Sequence, residues 1–169
     1  MKLDDNKKKE LEEIYQKFLN DPRILKMKDI PMHRGSDCYI HSFLVAKLAI
    51  KRALRHRHVN LVSVLTASIL HDYYLYDWRK NRALRKNHAH NHPFLASENA
   101  HKEFDISRDV MDIIEAHMWP INFKTFPKTK EARIVGRADT SIALKEALTS
   151  KKYKAKRQQK YLENISSLF

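Results

Sequence analysis

The stretch SILHDYYLYDW, Ser68–Trp78, decides how the rest of the chain is read. It overlaps the end of an apolar run, LVSVLTASIL from Leu61 to Leu70, that is hydrophobic on nearly every face of a helix. A helix with no polar side belongs at the centre of a fold. Its end carries His71 and Asp72 side by side. An unpaired buried carboxylate is strongly unfavourable, so the pair needs something that neutralises it.

Working outward, the flanking sequence reads as helices. Asn60 is a residue type that caps the central helix. Upstream, Ser36 or Asp37 caps a helix over about residues 37–56, with Ile40, Phe43, Leu44, Leu48 and Leu54 as its apolar stripe. Residues 7–19 place Leu11, Ile14, Tyr15, Phe18 and Leu19 at helical spacing, and Pro22 ends that helix. A loop around DIPMHRGSD links the two. Downstream, DWRKNRALRKNHAHN is polar and opens with a short basic helix, and Pro93 fits the first turn of a separate helix, PFLASENAHKEF. Ser107 caps RDVMDIIEAHM, the loop WPINFKTFPKT follows, and Thr129 caps KEARIVGRADTSIALKEAL. The last stretch, KKYKAKRQQKYLENISSLF, predicts a basic amphipathic helix with Tyr153, Tyr161, Leu162, Ile165 and Leu168 available for packing. The expectation is one all-α domain over residues 1–169, of about seven to nine helices.

Composition agrees. The 169 residues are 43% hydrophobic and 31% charged, which fits a folded globular chain. Only two glycines are present, too few for phosphate-cradling loops or a dinucleotide fingerprint. The single cysteine, Cys38, excludes an internal disulfide and a thiolate zinc cluster within one chain. It belongs to no recognisable Cys-His motif and reads as a packing residue. No stretch approaches the roughly 18 consecutive apolar residues of a membrane span, and MKLDDNKKKELEEIYQKF has no apolar signal core. A cytoplasmic protein is the expectation. The formal charge of +13 points to anionic partners or to a solvated basic face.

Metal-capable side chains recur where hydrophobes would be expected. His41 follows Ile40, His71 and Asp72 end the central helix, His117 follows Ile113 and Ile114 by one turn, and Asp139 follows Val135 by four residues. Gly136 costs its helix roughly 1 kcal/mol against alanine, and close packing against a crowded centre is a plausible return. A lone buried histidine is usually hydrogen-bonded in a core. Two buried aspartates among several histidines suggest a cation, with iron, manganese, zinc, cobalt and nickel all suited to imidazole and carboxylate.

The set His41 in YIHSF, HD at 71 and 72, and Asp139 in RADT resembles the HD-domain superfamily of metal-dependent phosphohydrolases. The resemblance covers about residues 33–147, with the N-terminal helix and the basic C-terminal helix packed on that core. His92 in HPFLASENA and His117 in IIEAHMWP look like the subset that holds two metals. The resemblance implies that His41, His71, Asp72 and Asp139 bind the first divalent transition metal. Asp72 would bridge to the second, which His92 and His117 complete, with iron or manganese foremost. His88 and His90 compete with His92 in HAHNH, and the helix-opening HP pattern favours His92.

Around the pair, Arg79 and Arg34 are candidates for recognising a phosphoryl group, whereas Arg82–Lys86 read as a solvated basic helix. Asp77 could orient water or shuttle a proton, as a catalytic partner of Asp72, or cap the following turn. Tyr73, Tyr76 and Trp78 could stack on a base or fill the core, and Trp119 and Phe123 could wall the pocket. The implied function is hydrolysis of a phosphate ester or anhydride, a nucleotide included, by metal-activated water. The runner-up is an HD-fold di-iron oxygenase, which uses the same ligands, and the third reading is a nucleic-acid-binding module with a structural metal. No GYP motif follows the central pair, so the cyclic-dinucleotide subgroup is not assigned.

Overall fold

The computed structural model describes residues 3–32, 36–80, 82–148 and 154–169, with residues 83, 84 and 154–157 described by backbone alone. Among the described residues there are eight α-helices and no strands: α1 (Asp5–Leu19), α2 (Pro22–Leu25), α3 (Cys38–Ala53), α4 (Leu61–Leu70), α5 (Arg82–Phe104), α6 (Arg108–Ala116), α7 (Lys130–Ala147) and α8 (Lys154–Asn164). The all-α expectation holds. Three of the anticipated caps close their helices by side chain. Asp37 accepts from the Ile40 N–H at 2.8 Å, Asn60 from Ser63 at 3.1 Å and Thr129 from Ala132 at 3.1 Å. Each satisfies a backbone donor that the first helical turn leaves orphaned.

Helix α4 is the axis of the molecule. It touches α1, α3, α5, α6 and α7, and Leu65, Ile69 and Leu70 are wholly buried. Each such side chain contributes about 1.5–3 kcal/mol by leaving water, which makes α4 a firm mount for whatever its end carries. Among the described residues no helix is long and apolar enough to cross a membrane.

Helix α1 ends before Pro22 as expected, and Pro22 then opens the short helix α2, capped by Asp21. One local expectation is corrected. Pro93 does not begin a new helix: α5 runs through it for 23 residues. A proline removes one helical hydrogen bond and crowds the carbonyl four residues back. The carbonyl left without its helical donor is that of Ala89. On either side of it, the His92 ring donates to the His88 carbonyl at 2.8 Å and Asn122 donates to the His90 carbonyl at 3.4 Å, which ties this turn to the neighbouring loop. At the end of the chain, Ile165 and Leu168 are buried as expected, but Leu162 is exposed and Tyr153 lies outside the described residues. The segment after α8 is tied down by polar contacts. The Tyr15 hydroxyl donates to the Ile165 carbonyl at 2.8 Å, and Lys47 donates to the Asn164 carbonyl at 2.8 Å.

Candidate metal centre

Five segments deliver six side chains to one buried point. His41 lies in the first turn of α3, which its Asp37 cap fixes. His71 is the C-cap of α4, followed by Asp72 in a turn. Leu75, at φ 55°, then swings the chain away, a left-handed conformation that costs a bulky residue on the order of 1–3 kcal/mol and that clusters at functional sites. His92 comes from α5 beside Pro93, His117 caps α6, and Asp139 comes from the middle of α7. All four histidines and Asp72 are buried.

Each histidine is held by its outer nitrogen. Nδ1 of His71 donates to the Ser68 carbonyl at 2.8 Å, that of His92 to His88 at 2.8 Å, and that of His117 to Ile114 at 2.7 Å. Since a carbonyl can only accept, Nδ1 carries the proton in these three rings. Nε2 is then left as the inward lone pair of the neutral imidazole. The His41 Nδ1 faces a carboxylate oxygen of Glu146 at 2.8 Å. Fixing a ring through its distal nitrogen is how proteins orient histidine toward a metal.

The inward atoms fall into two groups about Asp72. Its Oδ2 lies 3.4 Å from His71 Nε2 and 3.9 Å from His41 Nε2. Its Oδ1 lies 3.4 Å from His92 Nε2 and 4.0 Å from His117 Nε2. Asp139 Oδ1 completes the first group, 3.0 Å from His41 and 3.7 Å from His71. His41, His71 and Asp72; His71, His117 and Asp139; and Asp72, His92 and His117 are each close enough to share an ion.

Two observations test whether a cation fits. His71 Nε2 is buried without a hydrogen-bond partner. The Nε2 atoms of His92 and His117 lie 3.0 Å apart, although both rings donate elsewhere and present lone pairs to each other. Two acceptors cannot satisfy one another, but two ligands at about 2.1 Å from one metal and at right angles to each other lie about 3 Å apart. The donor set fits a cation.

Electrostatics divides the rings. Burial disfavours the charged form of all four. In His41 the hydrogen-bonded carboxylates of Asp139 and Glu146 outweigh it, and the ring is held well above the usual histidine value. Asp72 and Asp139 similarly raise His71. In His92 burial, then the neighbouring His117, pushes the ring down to about 3, and burial with His71 lowers His117. Burial opposes ionisation of Asp72 and Asp139, but the surrounding histidines hold both below the usual carboxylate range.

Of the HAHNH histidines, His92 enters the cluster. The ring of His88 stacks between His92, at 4.5 Å, and Trp78, at 5.0 Å, with the Tyr76 hydroxyl 2.8 Å from its Nδ1, while His90 is exposed. Asp77 accepts from the Arg79 N–H at 3.0 Å and so caps the next turn. The Arg79 guanidinium sits over Trp78 and donates to the carbonyls of Pro31 and Met32. It therefore anchors the segment leading to α3. Arg34 lies outside the described residues. Tyr73 fills the core, and Phe123 is exposed. Gly136 answers the packing question: a Cβ there would lie 3.0 Å from the His117 carbonyl oxygen.

Glu146 was not anticipated. Its signal is its spacing, two turns beyond Asp139 on the same face of α7. Sequence alone gave no reason to bury it, yet it is 1% exposed.

A helical core around a buried histidine–aspartate centre defines a class of proteins that are generally metal-dependent hydrolases. The chain belongs to the HD domain family, whose model matches residues 38–144. No curated protein and no solved structure matches it.

Proposed function

We propose that the chain is a dinuclear, divalent-metal-dependent phosphohydrolase acting on a phosphate ester or anhydride, with nucleotides within its range. The observation that carries this is the division of the Asp72 oxygens between two histidine groups. His41, His71, Asp72 and Asp139 would hold one cation, and Asp72, His92 and His117 the other, with iron or manganese the best suited to mixed imidazole and carboxylate ligands. Bound there, paired cations supply activated water at neutral pH and offset negative charge on a phosphoryl group. The chain's own residues prepare the site. The outer hydrogen bonds lock every imidazole with Nε2 inward, and the buried walls keep bulk water from competing. Arg79 would act through the loop that it anchors. A basic chain of +13 favours an anionic substrate over a neutral one.

The test is elemental analysis joined to a screen of phosphate esters and anhydrides with manganese or iron. About two metals per chain and metal-dependent phosphate release are expected, and His92→Ala should lose one metal while keeping the other. One metal in the wild type, with His92 and His117 turned away in its structure, would leave a mononuclear hydrolase. Oxygen uptake with an organic substrate and no phosphate release across the panel would move the chain to the di-iron oxygenases.

Two further results are expected. Glu146→Gln keeps a hydrogen-bond acceptor for the His41 ring but removes the charge, so metal affinity should fall by about tenfold with the fold intact. Equilibrium dialysis measures this, and an unchanged affinity would reduce Glu146 to a packing residue. The second result concerns protons. Because His41 and His71 are raised above 6.5, these rings hold protons more firmly than a free imidazole does, and a cation must displace whatever protons they hold. His92 and His117 are lowered and have none to give. Metal loading near pH 6.5 should therefore release protons, and affinity should climb as pH rises through and beyond 6.5. Calorimetry in buffers of different ionisation enthalpy counts them. No proton release would mean that His41 and His71 are neutral in the metal-free state.

A further inference from the structure

We propose that a second site, a basic cleft lined by α3 and α7 and by the loop between α6 and α7, binds a nucleoside polyphosphate independently of the metal centre. The cleft encloses about 980 Å³, within the size range of small-molecule sites. Five cations line it: Arg52, Arg55, Lys130, Arg133 and Arg137. Among the described residues no carboxylate lines it, and none of the five forms a salt bridge. Five like charges facing one space repel each other unless an anion joins them. One of them waits for a partner. Arg52 donates through Nη2 to Ser141 Oγ at 2.9 Å, while its Nη1 is buried with no hydrogen bond. Guanidinium groups suit phosphate because they present paired donors.

The other side of the cleft is aromatic. Trp119 and Phe126 pack edge to face, with ring centroids 5.5 Å apart, yet stay 43% and 55% exposed. Exposed rings beside a cationic surface offer a stacking face to a base. The cations come from the two helices and the turn after α3, and the rings from the loop, so the lining matches a ligand with a charged chain at one end and a flat ring at the other. The cleft is not the metal site. Arg52 lies eleven residues beyond His41 on α3, about 16 Å along the helix. The two sites meet at His117, which lines the cleft while its ring, 1% exposed, faces His92 in the metal cluster, and Gly136 lies under its carbonyl.

The experiment is calorimetric titration of metal-stripped protein, at fixed ionic strength, with ATP, with inorganic tripolyphosphate and with a ten-nucleotide single-stranded RNA. Metal-free conditions separate this site from the hydrolase reading, whichever way that falls. ATP should bind. Arg55→Glu and Arg137→Glu, both at exposed positions, should weaken ATP and tripolyphosphate alike by at least about tenfold. Trp119→Ala should weaken ATP by about tenfold and leave tripolyphosphate unchanged. Asp72→Ala should leave ATP binding intact. The proposal is overturned if wild type fails to bind ATP, if the cleft variants bind it normally, or if Asp72→Ala abolishes binding, which would put ATP in the metal cluster. It is also overturned if the RNA binds more tightly than ATP through these same residues, which would make the cleft a nucleic-acid track.

Discussion

Asp72→Ala should purify as a helical protein that holds little metal and has lost hydrolytic activity by a factor on the order of 10⁴. The reason is position. Asp72 is 3% exposed, and its two oxygens face different histidine groups at 3.4 Å each, which places it to serve both proposed cations. Removing Asp139 or His92 would deplete one group and leave the other, whereas removing Asp72 touches both. Asp72→Asn is the companion variant, because it keeps the volume and removes only the charge. The two should behave alike in elemental analysis and in phosphate release. Full metal content in Asp72→Ala would refute the bridging assignment. Circular dichroism guards against a trivial cause, since the apolar body of α4 does not depend on Asp72.

Chelation should lower the thermal midpoint by roughly 8–16 °C and abolish hydrolysis, with both restored by manganese or iron. A ligand that binds only the folded chain at a thousand times its dissociation constant stabilises it by about 4 kcal/mol. In a chain of this size each kcal/mol moves the midpoint by about 2–4 °C. The metal-free site also carries its own penalties: the orphaned Nε2 of His71 and the facing lone pairs of His92 and His117. A buried unsatisfied polar atom costs on the order of 1–3 kcal/mol. Differential scanning fluorimetry with and without chelator measures the shift. A midpoint that does not move would mean that the cluster is a hydrogen-bonded core and not a metal centre.

The helices and their starts were legible because cap residues and apolar periodicity are local signals. Asp37, Asn60 and Thr129 each act within three residues of themselves. The family was legible because HD ends an apolar helix, with YIHSF about thirty residues before it and Asp139 on a helix well downstream. Pro93 misled because the contacts that hold the turn around it are remote. Asn122 reaches the His90 carbonyl across 32 residues, a contact that no window of sequence contains. The role of Arg79 was read from its nearness to Asp72 in sequence. The turn at Leu75 and the carbonyls of Pro31 and Met32 redirect it. Glu146 was hidden for a third reason: a glutamate near the end of a basic helix looks solvated until the opposite helix is known to present His41.

The His41 ring, gripped by Asp139 and Glu146, has a consequence for the unfolded chain. It joins residues 98 and 105 positions apart in sequence. A covalent link closing a loop of that length would restrict the denatured ensemble by roughly 4–5 kcal/mol in the chain-entropy view. With one cysteine, this chain has no disulfide of its own to make such a closure. The imidazole and its carboxylates act instead as a clasp between the first and last thirds of the core. Thiol reductants leave such a clasp shut, whereas acid strong enough to protonate Asp139 opens it.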